Sequence, residues 1–155
     1  MTGFAVPRIA DIVARIAAQV DGFETVGHLL GLDAAALLAT PSALPAALVA
    51  PLPPGALPGE LLSTVHGQTV DWRCGVYVIL PRRLPDADDE DDEGSAGDWD
   101  DLVADLRVAL AGWAPPGEGA RMRWIGGQLE QIAPGLLAWR DDYECRRLLR
   151  HTPPT

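Results

Sequence analysis

The stretch from Thr69 to Leu80 restricts the fold more than any other part of the chain. Val70, Trp72, Cys74, Val76, Val78 and Leu80 alternate with Asp71, Arg73, Gly75, Tyr77 and Ile79, which is the period of a β-strand. From Val76 to Leu80 both parities are apolar, so this half is expected to be covered on both faces, as in a central strand. Gly67-Gln68 is the expected bend or hairpin turn between Ser63–His66 and this strand. The remaining elements must therefore supply cover for a sheet.

Two segments have helical spacing. Ile9, Ile12, Val13, Ile16 and Val20 form one apolar stripe after Pro7, which suits a first turn, while Arg8, Asp11, Arg15 and Gln19 take the other side. Trp99, Leu102, Val103, Leu106, Ala109, Leu110 and Trp113 form a second stripe. It is expected to start after Gly97-Asp98 with Asp98 as N-cap, and to stop at Gly112 and Pro115-Pro116. Phe23–Leu30, Ala46–Leu52, Arg121–Ile132 and Leu136–Leu149 read as strands, with Gly126-Gly127 a bulge or turn, and Asp33–Leu38 as a short helix or turn. In the last strand Leu137, Trp139, Tyr143 and Cys145 share one parity, and Arg140, Asp142, Glu144 and Arg146 the other. The order of elements indicates an α+β fold, a mostly antiparallel sheet with helices packed on one face.

The 155 residues suit a single domain spanning 1–155, and 48% are apolar, enough for a core. The formal charge of -10 is concentrated in one place. Asp86, Asp88, Asp89, Glu90, Asp91, Asp92, Glu93, Asp98 and Asp100 set aside, 13 acids face 12 arginines. Like charges at this density repel, so residues 82–97 are expected to form an acidic flexible loop. A body near neutrality lacks the basic face that sequence-specific nucleic-acid binding requires. Residues 151–155 read as a frayed tail. No apolar run is long enough for a membrane helix and no signal-peptide pattern is seen, so a cytoplasmic setting is expected.

Catalytic equipment is not recognisable. His28, His66 and His151 have no partner at metal-ligand spacing, and no P-loop, GxGxxG or GxSxG pattern is complete. Cys74 and His66 share a parity but would lie about 27 Å apart along one straight strand, so only a hairpin at Gly67 would make them a dyad. Cys74 and Cys145 read as buried apolar thiols. The run Asp88, Asp89, Glu90, Asp91, Asp92, Glu93 lacks the register of a calcium loop. No catalytic residue, metal site or cofactor is expected. Asp71, Arg73, Tyr77 and His66 leave a small ligand-binding domain or enzyme as an alternative from a different class.

Five segments carry a resemblance: a helix leading to the strand Phe23–Leu30, LPAALVAPL at 44–52, QTVDWRCGVYVILPRR at 68–83, DLVADLRVALAGWAPP at 101–116 and GLLAWRDDYECRRLLR at 135–150. In this order, with the L-x-GW-x-P end of the second helix and the W-x-x-x-Y of the last strand, the chain resembles phage tail terminator (tail completion) proteins, in particular the Mu-like minor tail branch. The resemblance implies a structural virion protein without enzymatic activity. It would form a ring, commonly hexameric, on the head-proximal end of the tail tube, made and assembled in the host cytoplasm. Its implied partners are further copies of itself, the tail tube protein and the neck or head-completion protein. A neck or head-tail connector of related fold, or a tailocin or secretion-system relative, remains an alternative. Within this frame Arg140, Asp142, Glu144, Arg146, Arg147 and Arg150 are candidate interface residues. Asp88, Asp89, Glu90, Asp91, Asp92 and Glu93 are candidates for an acidic loop facing the lumen, where they would repel passing DNA.

Overall fold

The structure, a computed structural model, describes residues 8–29, 43–56, 60–62, 65–79, 93–116, 120–133 and 136–151. Within these, the side chains of 54–70, 93–99, 132–137 and 147–151 fall outside the described part.

Eight elements follow one another: α1 (Ile9–Gln19), β1 (Thr25–His28), β2 (Ala46–Ala56), β3 (Glu60–Leu62), β4 (Val65–Ile79), α2 (Glu93–Leu110), β5 (Arg123–Ala133) and β6 (Leu136–His151). The sheet order is β1-β2-β4-β6-β5, with β3 extending the β2 side of β4. Among the described strands only β1 and β2 run parallel. The doubly apolar strand is therefore central, as expected. β4 lies between β2 and β6 over most of its length, and β1 and β5 form the edges.

The parity of β4 sorts the two faces. Cys74, Val76 and Val78 sit opposite Pro51, Val49 and Ala47 of β2 and opposite Tyr143, Asp141 and Trp139 of β6. Both helices pack on this face. α1 contributes Ile12 and Ile16, with Val20 just beyond its end, and α2 contributes Leu102, Val103, Leu106, Ala109 and Leu110. Burying each of the larger side chains is worth about 2 kcal/mol. On the opposite face Ala46, Leu48, Ala50, Tyr77, Ile79 and Ala138 make a second buried cluster, joined by Leu29, Ala43 and Leu44. The α+β class with helices on one face holds.

Several boundaries differ from expectation. Gly67-Gln68 is not a turn. Gly67 pairs with Glu60 and Arg150, and Gln68 with Leu149, so both are held extended in the ladder, with Leu62 opposite Val65. His66 and Cys74 thus lie on one continuous strand and cannot form a dyad. α2 begins at Glu93, so Asp98 lies inside the helix and residues 93–97 of the expected loop are helical. Acids at a helix start interact favourably with its dipole, so the same charge that favours an open loop also favours initiation here. His151 pairs with His66 as the last residue of β6. The first strand is shorter than Phe23–Leu30, keeping only Thr25–His28. Asp33–Leu38, Pro7 and residues 81–92 lie outside the described residues.

Arg15, on the side of α1 opposite the apolar stripe, is half-buried, donating from Nε to the Ala109 carbonyl at 3.0 Å and lying over the Trp113 ring at 5.5 Å. A C-terminal carbonyl of α2 thereby gains a charged donor. α2 stops as expected: Gly112 has φ +83 and its N–H bonds the Met122 carbonyl at 2.8 Å.

Candidate functional site

Strand alternation places the polar parity of β6 on the helix-free face, where neighbouring strands present matching charges. Arg140 opposes Tyr77 of β4 and Gln128 of β5, Asp142 opposes Gly75 and Gly126, Glu144 opposes Arg73 and Arg123, and Arg146 opposes Asp71. These cross-strand positions are close enough for direct pairing. Arg140 donates to Asp142 at 2.7 and 3.2 Å and to Glu130 at 2.6 Å. Glu144 accepts from Arg73 at 3.4 Å and from Arg123. Arg146 Nε donates to Asp71 Oδ1 at 2.9 Å. Gly75 leaves the space that the Arg140 side chain crosses: a Cβ there would stand 2.9 Å from Arg140 Cδ.

Of the candidate interface residues, Arg140, Asp142, Glu144 and Arg146 are thus gathered on one face and paired within the chain. The side chains of Arg147 and Arg150 lie outside the described residues, although both are in β6 and pair with Val70 and Gly67. Of the acidic candidates, Glu93 is the first residue of α2, and Asp88, Asp89, Glu90, Asp91 and Asp92 fall outside.

The pairing changes proton affinities. At Arg140 burial opposes the charge and is outweighed by hydrogen bonds with Asp142 and Tyr77 and by the charges of Asp142 and Glu130, so the guanidinium stays protonated. The Arg146 hydrogen bond holds Asp71 below its ordinary 3.8, against desolvation and with help from the charges of Arg146, Arg73 and Arg123. A carboxylate with a depressed folded-state pKa contributes stability above its unfolded value, and loses it as pH falls through the folded value. Asp71→Asn should therefore be less stable than the wild type at neutral pH and nearly equal to it at pH 2. Urea unfolding at the two pH values checks this; equal differences at both would show that the pair contributes nothing through charge.

On the helix side lies a second polar group that the spacing did not predict. Asp141 is fully buried on the apolar parity of β6. Its Oδ2 accepts from Arg107 Nε at 2.9 Å and Tyr143 Oη at 3.3 Å, and its Oδ1 from Arg107 Nη2 at 3.0 Å and Trp139 Nε1 at 2.8 Å. Arg107 comes from α2, so a two-pronged ion pair ties helix to sheet. The Asp141 carboxylate raises the Arg107 pKa. Burial first, then the Asp141 charge and hydrogen bond, push the Tyr143 hydroxyl up. The signal in the sequence was a lone acid on an otherwise apolar strand parity, with its partner 34 residues upstream.

The Arg107 guanidinium also stacks on the Trp124 ring at 4.4 Å. Trp124 belongs to the edge strand β5, which exposes Trp124, Ile125 and Leu129, the last at 62%. β5 bulges between Trp124 and Gly126, where Gly126 takes φ +148, a device that bends an edge strand. Gly126-Gly127 is thus a bulge, one of the two readings its sequence allowed.

Cys74 and the described polar residues of β4 are committed to structural contacts. Cys74 is buried, and desolvation raises its pKa, with Cys145 and Asp142 adding to the effect, the opposite of an activated thiol. Asp71, Arg73 and Tyr77 share a face with their charges committed to ion pairs and hydrogen bonds. Among the described residues no group of three or more His, Cys, Asp or Glu is arranged to hold a metal ion. A cleft of about 360 Å³ between α1 and α2, lined by Arg15, Gln19, Asp21, Asp105, Val108 and Ala109, is open and contains no nucleophile-base pair. No described helix is long and apolar enough to cross a membrane.

The fold defines an α+β class, with an ion-paired sheet face and an apolar strand edge among the described residues. The family described as phage tail terminator protein matches residues 4–153, and the chain belongs to that family. It is accordingly a structural protein of the phage tail and a component of the virion. A search of curated proteins finds no match.

Proposed function

We propose that copies of this chain close into a ring, commonly of six, on the head-proximal end of the tail tube, where the ring ends polymerisation and joins the neck. The observation that carries the reading is the β5 edge. Trp124, Ile125 and Leu129 are exposed on a strand with one sheet neighbour, β6, among the described residues. Exposed apolar side chains on a sheet edge favour contact with another protein surface. Trp124 is braced by Arg107, as suits an anchor residue at low entropic cost. A closed ring repeats one heterologous contact, so one such edge per copy suffices. No covalent step is involved.

Electron microscopy of particles from a deletion strain tests the function. Tails of abnormal length without heads are expected, and restoration by the wild-type chain but not by Leu129→Asp. Normal tails on intact particles would overturn the reading. Labelled protein should bind the ends of purified tube; binding to portal-side assemblies instead would transfer it to the neck.

A further inference from the structure

The helix-free face is not uniformly charged. At its centre one guanidinium, Arg140, serves two acids, Asp142 and Glu130. At the end where β5 begins, three guanidiniums, Arg73, Arg123 and Arg146, serve two carboxylates, Asp71 and Glu144. The exposure there is one-sided. The arginine side chains are 39%, 61% and 56% exposed, and those of Glu144 and Asp71 only 5% and 11%. The acids form an underlayer and the cations face out, one charge in excess. Such a patch suits an anionic partner.

The chain carries a matching anion. Asp88, Asp89, Glu90, Asp91, Asp92 and Glu93 are six consecutive acids. The placement of α2 favours the patch of another copy over the chain's own. α2 runs from the Ile79 end of the sheet to the Arg123 end: Leu102 reaches Gly22 next to β1, whose Thr25 pairs through Ala46 with Ile79, whereas Gly112 bonds Met122 beside Arg123. Glu93 therefore starts the helix about 26 Å from its C-terminal end. Asp88, five residues before Glu93, extends at most about 18 Å from it. The arginines lie at the far end and on the other face of the sheet.

We propose that the arginine patch Arg73–Arg123–Arg146 receives the acidic segment Asp88–Asp92 of a second copy of this chain, as a head-to-tail contact. This rests on the ring reading, and it gives that ring a direction: each copy offers both a patch and a segment leading into α2. Complementary charge of this kind sets register and speeds encounter.

A fluorescein-labelled peptide of residues 84–94 titrated into the full chain tests the contact without requiring a ring. Binding is expected, weakening at least tenfold in Arg123→Gln/Arg146→Gln, and weakening in 1 M salt, where charge interactions are screened within about 3 Å. A peptide with Asn and Gln at the acids should not bind. In the full chain, neutralising either the patch or Asp88, Asp89, Glu90, Asp91 and Asp92 should lower the assembled mass by sedimentation. Circular dichroism confirms that the variants fold. Peptide binding that is absent, or indifferent to the arginines, overturns the contact, as does a patch that binds duplex DNA and not the peptide. Rings that persist in both neutralised variants overturn it and leave the ring reading standing. Peptide binding by a chain that never assembles would sink the ring and keep the contact.

Discussion

Arg107→Met is expected to lower folding stability by about 3 kcal/mol. The reason is asymmetric burial. Arg107 is partly exposed and loses little on removal, but Asp141 is fully buried and keeps only Trp139 and Tyr143 as donors. Breaking a buried pair from one side leaves a desolvated charge, which costs about 3–5 kcal/mol before other donors compensate. For a domain of this size each kcal/mol lowers Tm by about 2–4 °C. Arg107→Lys should be intermediate, because a single ammonium cannot reproduce the two parallel hydrogen bonds of the guanidinium. The double variant Arg107→Met/Asp141→Leu should recover much of the loss, since removing both charges removes the desolvation cost. Thermal unfolding of the wild type, these three variants and the single variant Asp141→Leu checks this. A double variant as unstable as the sum of its parts would mean that the carboxylate is not held chiefly by Arg107.

Gly127→Ala is expected to cost about 2 kcal/mol, although alanine ordinarily suits a strand better than glycine. Position 127 faces Asp141 across the β5–β6 ladder. A Cβ there would stand 2.6 Å from Trp139 Cζ2 and 2.8 Å from Asp141 Oδ1. Neither neighbour is free to retreat: the indole is hydrogen-bonded to that carboxylate and the carboxylate to Arg107. Overpacking against pinned groups typically costs about 1–3 kcal/mol. Gly75→Ala makes the useful comparison: its Cβ would meet Arg140 Cδ at 2.9 Å and Cγ at 3.1 Å, a wider approach than at Gly127, in a side chain whose tip is also held by Asp142 and Glu130. Chemical denaturation of both should rank Gly127→Ala as the more damaging; the reverse order would show that the clamp is softer than its hydrogen bonds indicate.

Much of the architecture was legible because it rests on period and charge. The alternation through Val70–Val78 located the central strand, its double apolar half announced cover on both faces, and the stripe Leu102–Leu110 named the buried side of α2 correctly. The same reasoning misplaced Gly67-Gln68 and the start of α2. A glycine looks like a turn until two neighbouring strands hold it extended, and an acidic run looks like a loop although the same charge favours a helix start. The spacing of Arg15 says only which side of α1 it occupies, not that a carbonyl of α2 waits there.

The family frame also came from sequence, through the order of five segments, and the match over residues 4–153 bears it out. What only the tertiary structure decided is who pairs with whom. Arg140, Asp142, Glu144 and Arg146 were visible as one parity of one strand. Their partners Glu130, Arg73, Arg123 and Asp71 are supplied by β4 and β5, and the outward arginines over buried acids exist only once those strands are in register. The Asp141 clamp and the braced Trp124 likewise join residues of α2, β5 and β6. Local period is a property of neighbours in the chain, and a sequence displays it directly. Charge pairing across a sheet depends on register between segments tens of residues apart, which folding alone establishes.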